Sequence, residues 1–189
     1  MSERKDNSDV LPTTPSQTVG PFPHEAWQWL GQATAAPGEA ALVIEGRLLD
    51  GQGEPINDGW IEAWTAPHEA QAAAEAMTDP AAPPPGFQRC ATDEQGRYAL
   101  HLPGRPALAG RPAAYVTVFA RGLSLHQHSA VFLADDGDAA LAGSALLRQL
   151  PAERRACLLA HPAEAPRRYR WDIRLQGGPN EETVFFDYA

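Results

Sequence analysis

Two histidines separated by one residue form the first pattern in the sequence that could bind a metal. His126 and His128 lie in a stretch with the alternation of a β-strand, residues 124–133, so both imidazoles are expected on one face. Two imidazoles on one face could begin a metal site, although no third ligand lies nearby in the sequence. The pair also fits a solvated or interface strand, where such spacing arises by chance, and this is the commoner case.

Four tyrosines could supply phenolate oxygen to a hard metal ion such as Fe(III), which prefers anionic oxygen donors. They are Tyr98, Tyr115, Tyr169 and Tyr188. Strand tyrosines more often pack their rings against neighbours and leave their hydroxyls in water. The second interpretation is therefore favoured for the residues taken alone.

Arg121 lies next to Gly122 in what we predict to be a hairpin turn. A guanidinium in this place could hold a carboxylate through two parallel hydrogen bonds. Turn arginines are more often simply solvated, so the position alone leaves both interpretations open.

A proline-rich segment at residues 12–23 (PTTPSQTVGPFP) is predicted to be extended, because each proline fixes φ and removes a backbone donor. Gly20 would allow the backbone to approach a ligand closely, and Pro21 would keep the segment stiff. Apolar anchors such as Phe22 indicate that the segment lies on another surface. We therefore predict an extended N-terminal arm over residues 1–23.

The elements that must position these residues are predicted to be β-strands. The chain of 189 residues holds 16 glycines and 18 prolines, which favours short elements joined by tight turns. Alternating or apolar runs predict strands at residues 41–50, 59–65, 97–102, 115–120, 124–133, 168–176 and 183–188. The pairs 115–120/124–133 and 168–176/183–188 are expected to be hairpins. The fold class is all-β: a single β-sandwich of mostly antiparallel strands over residues 24–189.

Three segments interrupt the β pattern and are predicted to be short helical excursions. Residues 68–77 are rich in alanine, and residues 139–150 and 151–160 have helical spacing. Pro151 suits a first helical turn, and Pro162 suits a stop.

Composition excludes several classes of partner. The formal net charge of −9 argues against nucleic acid, because neutralising phosphates requires a basic face. No run approaches the roughly 18 apolar residues that a membrane helix needs. Residues 1–10 lack the apolar core of a signal peptide, and the two cysteines, Cys90 and Cys157, exclude a disulfide framework. A cytoplasmic protein with reduced thiols is expected.

Several motifs, in this order, resemble those of the intradiol ring-cleavage dioxygenases over about residues 12–188. The matching segments are TPSQTVGPF (14–22), GWIEAW (59–64), DEQGRY (93–98), FARG with the following H-x-H (119–128), YRWDIRLQG (169–177) and ETVFFD (182–187). Each motif alone is moderately specific for the family, and together, in this order, the motifs are strong evidence for the resemblance.

The resemblance implies a non-haem Fe(III) that is bound by a partner chain and not by this one. Iron-bearing chains of the family hold the ion through two tyrosines and two histidines. The matching histidine positions here are Ala113 and Tyr115, and the tyrosine positions fall near Pro106 and Ala72. The H-x-H histidines would then belong to the following strand. We therefore expect no metal ligand and no catalytic residue in this chain.

By the same resemblance, the chain pairs with a homologous iron-binding beta subunit in an αβ hetero-oligomer and completes that subunit's site for a small aromatic substrate and O2. Thr18, Gly20 and Pro21 would line the substrate pocket, and Arg121 would form its polar wall near a substrate carboxylate. Two alternatives remain at this point. One is a non-catalytic β-sandwich carrier for small aromatics, and the other is an autonomous metalloenzyme that uses the H-x-H histidines.

Overall fold

A computed structural model describes residues 42–65, 86–178 and 180–187 of the chain. The predicted arm at 1–23 and the predicted helix at 68–77 lie outside the described residues. Within the described ranges, no helix has both the length and the apolar character needed to pass through a lipid bilayer.

Nine β-strands dominate the described residues. They are β1 (Leu42–Leu49), β2 (Trp60–Trp64), β3 (Phe87–Ala91), β4 (Arg97–Leu102), β5 (Ala114–Phe119), β6 (Gln127–Leu133), β7 (Leu159–Pro162), β8 (Arg168–Arg170) and β9 (Ile173–Arg174). Two short α-helices and three 3-10 turns lie between β6 and β7. They are α1 (Asp138–Gly143), α2 (Ala152–Arg155) and the turns Ala134–Asp136, Leu147–Gln149 and Ala156–Leu158.

The strands pair in the order β3-β2-β5-β6-β7-β8-β1-β4, and β9 also pairs with β1. The first four strands in this order, β3, β2, β5 and β6, form an antiparallel half of the sheet. In the other half, β1 pairs antiparallel with β4 and parallel with β8. A short parallel contact between β6 and β7 joins the halves. At the opposite end, the backbone N–H of His101 donates to the side chain of Gln88, so the sheet is nearly closed. The predicted all-β sandwich is confirmed.

Alternating side chains from both halves meet in one core, as the period of two in a strand requires. Its aliphatic members, none more than 2% exposed, include Leu42, Ile44, Leu48, Ile61, Leu100, Leu102, Val116, Val118, Val131 and Leu133. A smaller cluster covers the outer face of β6. It contains Phe132, Leu147, Leu158 and Val184. The short helices and turns between β6 and β7 therefore pack against β6 from outside the sandwich.

The predicted hairpin of residues 168–176 with 183–188 is wrong. The first segment is interrupted at Trp171 and Asp172, and its two parts, β8 and β9, both pair parallel with β1. Two hydrogen bonds to β1 hold this interruption in place. The backbone N–H of Trp171 donates to the Glu45 carbonyl at 2.9 Å, and the Asp172 carboxylate accepts the backbone N–H of Arg47 at 2.8 Å. The arginine-rich β8 is consequently an internal strand, between β7 and β1.

The predicted helices are shorter in the structure. The segment 139–150 is divided between α1 and a 3-10 turn, and Pro151 precedes α2 instead of lying in its first turn. The last residues of the segment 151–160 begin β7, since Ala160 is fully buried against β6. Strand β3 was not predicted at all.

Candidate functional site

Arg121 occupies the second position of a tight turn after β5. The Leu123 N–H donates to the Ala120 carbonyl at 3.2 Å, and Gly122 has a φ of +92°, which L side chains rarely adopt. Ala120 is completely buried, whereas the Arg121 side chain is 63% exposed. The turn therefore anchors the backbone and sends the guanidinium towards solvent. Strands β5 and β6 on either side pair antiparallel, so the predicted hairpin is confirmed.

The carboxylate of Asp58 holds this guanidinium. Its Oδ2 atom lies 2.8 Å from Arg121 Nε, and the Asp58 side chain is only 11% exposed. The contact follows from the antiparallel register of β2 and β5, in which Trp60 lies opposite Phe119. Continuing that register by two residues places Asp58 opposite Arg121.

The backbone beside Asp58 is fixed by its own contacts. The Gly59 N–H donates to Thr92 Oγ1 at 3.1 Å, and the Thr92 N–H donates to the Gly59 carbonyl at 2.9 Å. A Cβ at Gly59 would lie 2.5 Å from the Leu48 side chain and 3.1 Å from the Phe119 carbonyl oxygen. Glycine is required for this close approach, which brings Asp58 up to the end of β5.

Arg121 lies on the wall of a cleft of about 780 Å³ between the β1–β2 turn, the β5–β6 turn, the start of α2 and the C-terminal tail. Its polar lining includes Asp50, Arg121, Gln127, Arg154, Gln176 and Glu182. Its apolar lining includes Ile56, Leu123, Leu150, Leu175, Val184 and Phe185. Apolar walls with a few charged groups suit a small molecule that is partly apolar and partly ionised.

His126 and His128 lie side by side, with ring centroids 4.7 Å apart in an edge-on arrangement. His128 Nδ1 is 3.2 Å from Thr117 Oγ1, and the ring of His126 packs near that of Phe119. Burial, and then the neighbouring His126, lower the pKa of His128. In the ranges that the structure describes, no group of three or more His, Cys, Asp or Glu side chains could hold a metal ion.

The positions that the family resemblance assigns to iron ligands do not form a donor set for Fe(III). Ala113 presents a buried methyl group, and Pro106 has no donor atom. Tyr115 carries a phenol, but its side chain is exposed on β5 opposite Trp64. The fourth position, Ala72, lies outside the described residues. A ferric ion requires several anionic oxygen or imidazole donors, so it does not fit the described part of this chain.

The other tyrosines satisfy structural hydrogen bonds. The Tyr98 hydroxyl donates to the Trp171 carbonyl at 2.5 Å, and burial raises the pKa of Tyr98. The Tyr169 hydroxyl donates to Asp135 at 2.9 Å. Burial, together with that carboxylate, also raises the pKa of Tyr169. The phenols of Tyr98 and Tyr169 therefore stay protonated at neutral pH, as expected for packed strand tyrosines. The fourth tyrosine, Tyr188, lies outside the described residues.

Of the four residues predicted to contact substrate, the structure describes Arg121 alone. Thr18, Gly20 and Pro21 lie outside the described residues, so their role stays a prediction. Sequence reasoning missed Asp58, which lies in a loop without a recognisable motif. The register of β2 with β5 could have revealed it, but β3 and β4 intervene in the chain between these two strands.

Comparison with known proteins identifies the relatives of this chain. No protein-family model matches it. The protocatechuate 3,4-dioxygenase alpha chains of Pseudomonas putida and Burkholderia cepacia are 32% and 35% identical to it; the matches cover 95% and 94% of this chain and 98% of each relative. A solved dioxygenase domain from a carbohydrate-binding fusion protein of Streptomyces sp. SirexAA-E shares the fold, with a TM-score of 0.53, 19% identity, and coverage of 88% of this chain and 100% of that domain. With this identity over nearly its whole length, the chain belongs to the protocatechuate 3,4-dioxygenase alpha chain family.

Proposed function

We propose that this chain is the non-iron-binding subunit of a protocatechuate 3,4-dioxygenase and completes the active site of an iron-bearing beta subunit. The assembled enzyme inserts both atoms of O2 into 3,4-dihydroxybenzoate and breaks the bond between the two hydroxylated carbons, which gives 3-carboxy-cis,cis-muconate. The observation that carries the proposal is the identity of 32–35% with two alpha chains over nearly the full length. The misfit of Fe(III) to the described residues supports the division of labour between the two subunits.

An Fe(III) held by the partner subunit would supply the chemistry that activates the substrate ring. The residues of this chain bind and orient the substrate. Arg121 holds the substrate carboxylate through charge-assisted hydrogen bonds. Thr18, Gly20 and Pro21 line the pocket from the arm and exclude water, which keeps the substrate in a reactive position.

The two cysteines support a cytoplasmic location for this enzyme. Neither Cys90 nor Cys157 is in a disulfide, as is usual for proteins of a reducing compartment. Burial raises the pKa of the Cys90 thiol to about 12, so that thiol stays protonated and unreactive.

Expression of the chain with and without an iron-bearing beta chain tests the proposal. Alone, the chain is expected to be colourless, free of iron and inactive. Together, the two chains are expected to purify as a red-brown heteromer that consumes O2 with 3,4-dihydroxybenzoate. Metal analysis, the visible spectrum and an oxygen electrode measure these properties. Turnover by the single chain would overturn the proposal, and a chain that binds aromatics but never associates with the beta chain would favour the carrier alternative.

Deleting residues 1–23 tests the contribution of the arm. The deletion is expected to raise KM or lower kcat of the heteromer by about tenfold, because the pocket loses a wall that orients the substrate. Iron content should stay at the wild-type level. Deleting residues 1–11, which leaves the proline-rich segment intact, is the matched control and should change little. Wild-type kinetics after the longer deletion would reject a role for the arm.

A further inference from the structure

We infer that Asp58 is a positioning residue, which fixes the guanidinium of Arg121 so that its two terminal nitrogens face the substrate carboxylate. The inference rests on the proposed function and goes beyond it, because it names the residue that sets the orientation of Arg121.

The first support is the nitrogen atom that Asp58 contacts. Asp58 Oδ2 lies 2.8 Å from Nε of Arg121, on the inner side of the guanidinium. Nε is the nitrogen of the Arg121 guanidinium closest to Asp58, so the terminal nitrogens Nη1 and Nη2 lie farther from that carboxylate. These two nitrogens carry the N–H groups that form a fork on a carboxylate.

The second support is that this arrangement differs from the other ion pairs. In each of the five other pairs among the described residues the closest nitrogen of the arginine is a terminal Nη atom, and in the Arg89–Glu62 pair Nε donates to the same carboxylate as well. Those arginines use their outer nitrogens for contacts within the chain. The Asp58 pair makes its closest contact at Nε instead, so the outer nitrogens of Arg121 can turn to a ligand.

The third support is the burial of Asp58. Its Oδ2 atom is buried and accepts no well-aligned hydrogen bond from the described residues, so the positive charge of Arg121 compensates its burial. A carboxylate held in this way restricts a long side chain that would otherwise sample many rotamers. The guanidinium is thus ordered before substrate arrives, and binding need not order it.

The test replaces Asp58 with asparagine, which keeps the shape and removes the charge, in the assembled heteromer. The expected result is a rise of about tenfold in KM for 3,4-dihydroxybenzoate with kcat nearly unchanged, because misorientation weakens the carboxylate contact. KM for catechol, which has no carboxylate, should not change. In an Arg121→Ala background, Asp58→Asn should have no further effect on either KM, since the two residues act as one unit.

Two further variants separate orientation from folding. Glu62→Gln is the control for losing a carboxylate from an ion pair. The Glu62 side chain is 13% exposed, and its partner is Arg89, not Arg121. This control should leave both KM values at wild-type level. Arg121→Lys keeps the charge, but a lysine has one nitrogen and cannot contact Asp58 and also form two hydrogen bonds with the substrate carboxylate. KM for 3,4-dihydroxybenzoate should therefore rise as it does in Asp58→Asn. This exposed substitution still gives a result if the Asp58→Asn heteromer does not assemble.

The outcomes distinguish the inference from the function on which it rests. If Arg121→Ala raises KM for 3,4-dihydroxybenzoate while Asp58→Asn or Arg121→Lys leaves it at wild-type level, the positioning role is overturned and the proposed function stands. An equal rise in Glu62→Gln also overturns it, because the effect would then be a general consequence of losing a buried charge. If Arg121→Ala itself changes nothing, the carboxylate contact in the proposed function fails.

Discussion

Replacing Arg121 with alanine in the assembled enzyme is expected to raise KM for 3,4-dihydroxybenzoate by about 10- to 100-fold, since a hydrogen bond to a charged group contributes about 1.5–3 kcal/mol. KM for catechol should change little, because catechol has no carboxylate. Steady-state O2 consumption with the two substrates measures both values on the same preparation.

The Arg121→Ala variant also leaves the buried Asp58 carboxylate without its compensating charge. Its thermal unfolding should therefore be measured beside its kinetics. Arg154→Ala removes a cation from the same cleft and is a control for loss of charge alone. Equal losses of activity with the two substrates would reject a carboxylate contact at Arg121.

Replacing Gly46 with alanine is expected to lower the free energy of unfolding by more than about 4 kcal/mol, the range of the most severe core substitutions. A Cβ at Gly46 would lie 1.8 Å from the Trp171 carbonyl oxygen and 2.6 Å from its carbonyl carbon. Backbone atoms cannot rotate away as a side chain could. The clash would separate β1 from the segment that joins β8 to β9, so little folded heteromer should form.

Gly143 provides the matched control for this substitution. It lies at the end of α1, and a Cβ there would meet no atom within 4 Å. Gly143→Ala should change stability by no more than about 1 kcal/mol, through the entropy of the unfolded chain. Urea unfolding followed by tryptophan fluorescence compares the two variants. Near-wild-type stability of Gly46→Ala would mean that β1 and Trp171 pack differently from the arrangement described.

Strands with clear alternation and turn signals were predicted closely. The bounds of β4 were predicted without error, and those of β2 and β5 to within one residue. Strands β7, β8 and β9 have two to four residues each, and they pair in parallel with strands that are distant in the sequence. Such pairings leave little local pattern, because each short strand is defined by its neighbour and not by its own alternation.

The sequence by itself determined the family resemblance, the turn that carries Arg121, and the residues Ala113 and Pro106 at positions that the resemblance assigns to iron ligands. These features depend on residue types at particular positions, so they can be recognised in a linear chain. The tertiary structure alone decided that Asp58 meets Arg121. Their contact depends on the register between β2 and β5, and register is set by how two strands bury their apolar faces together in the same core.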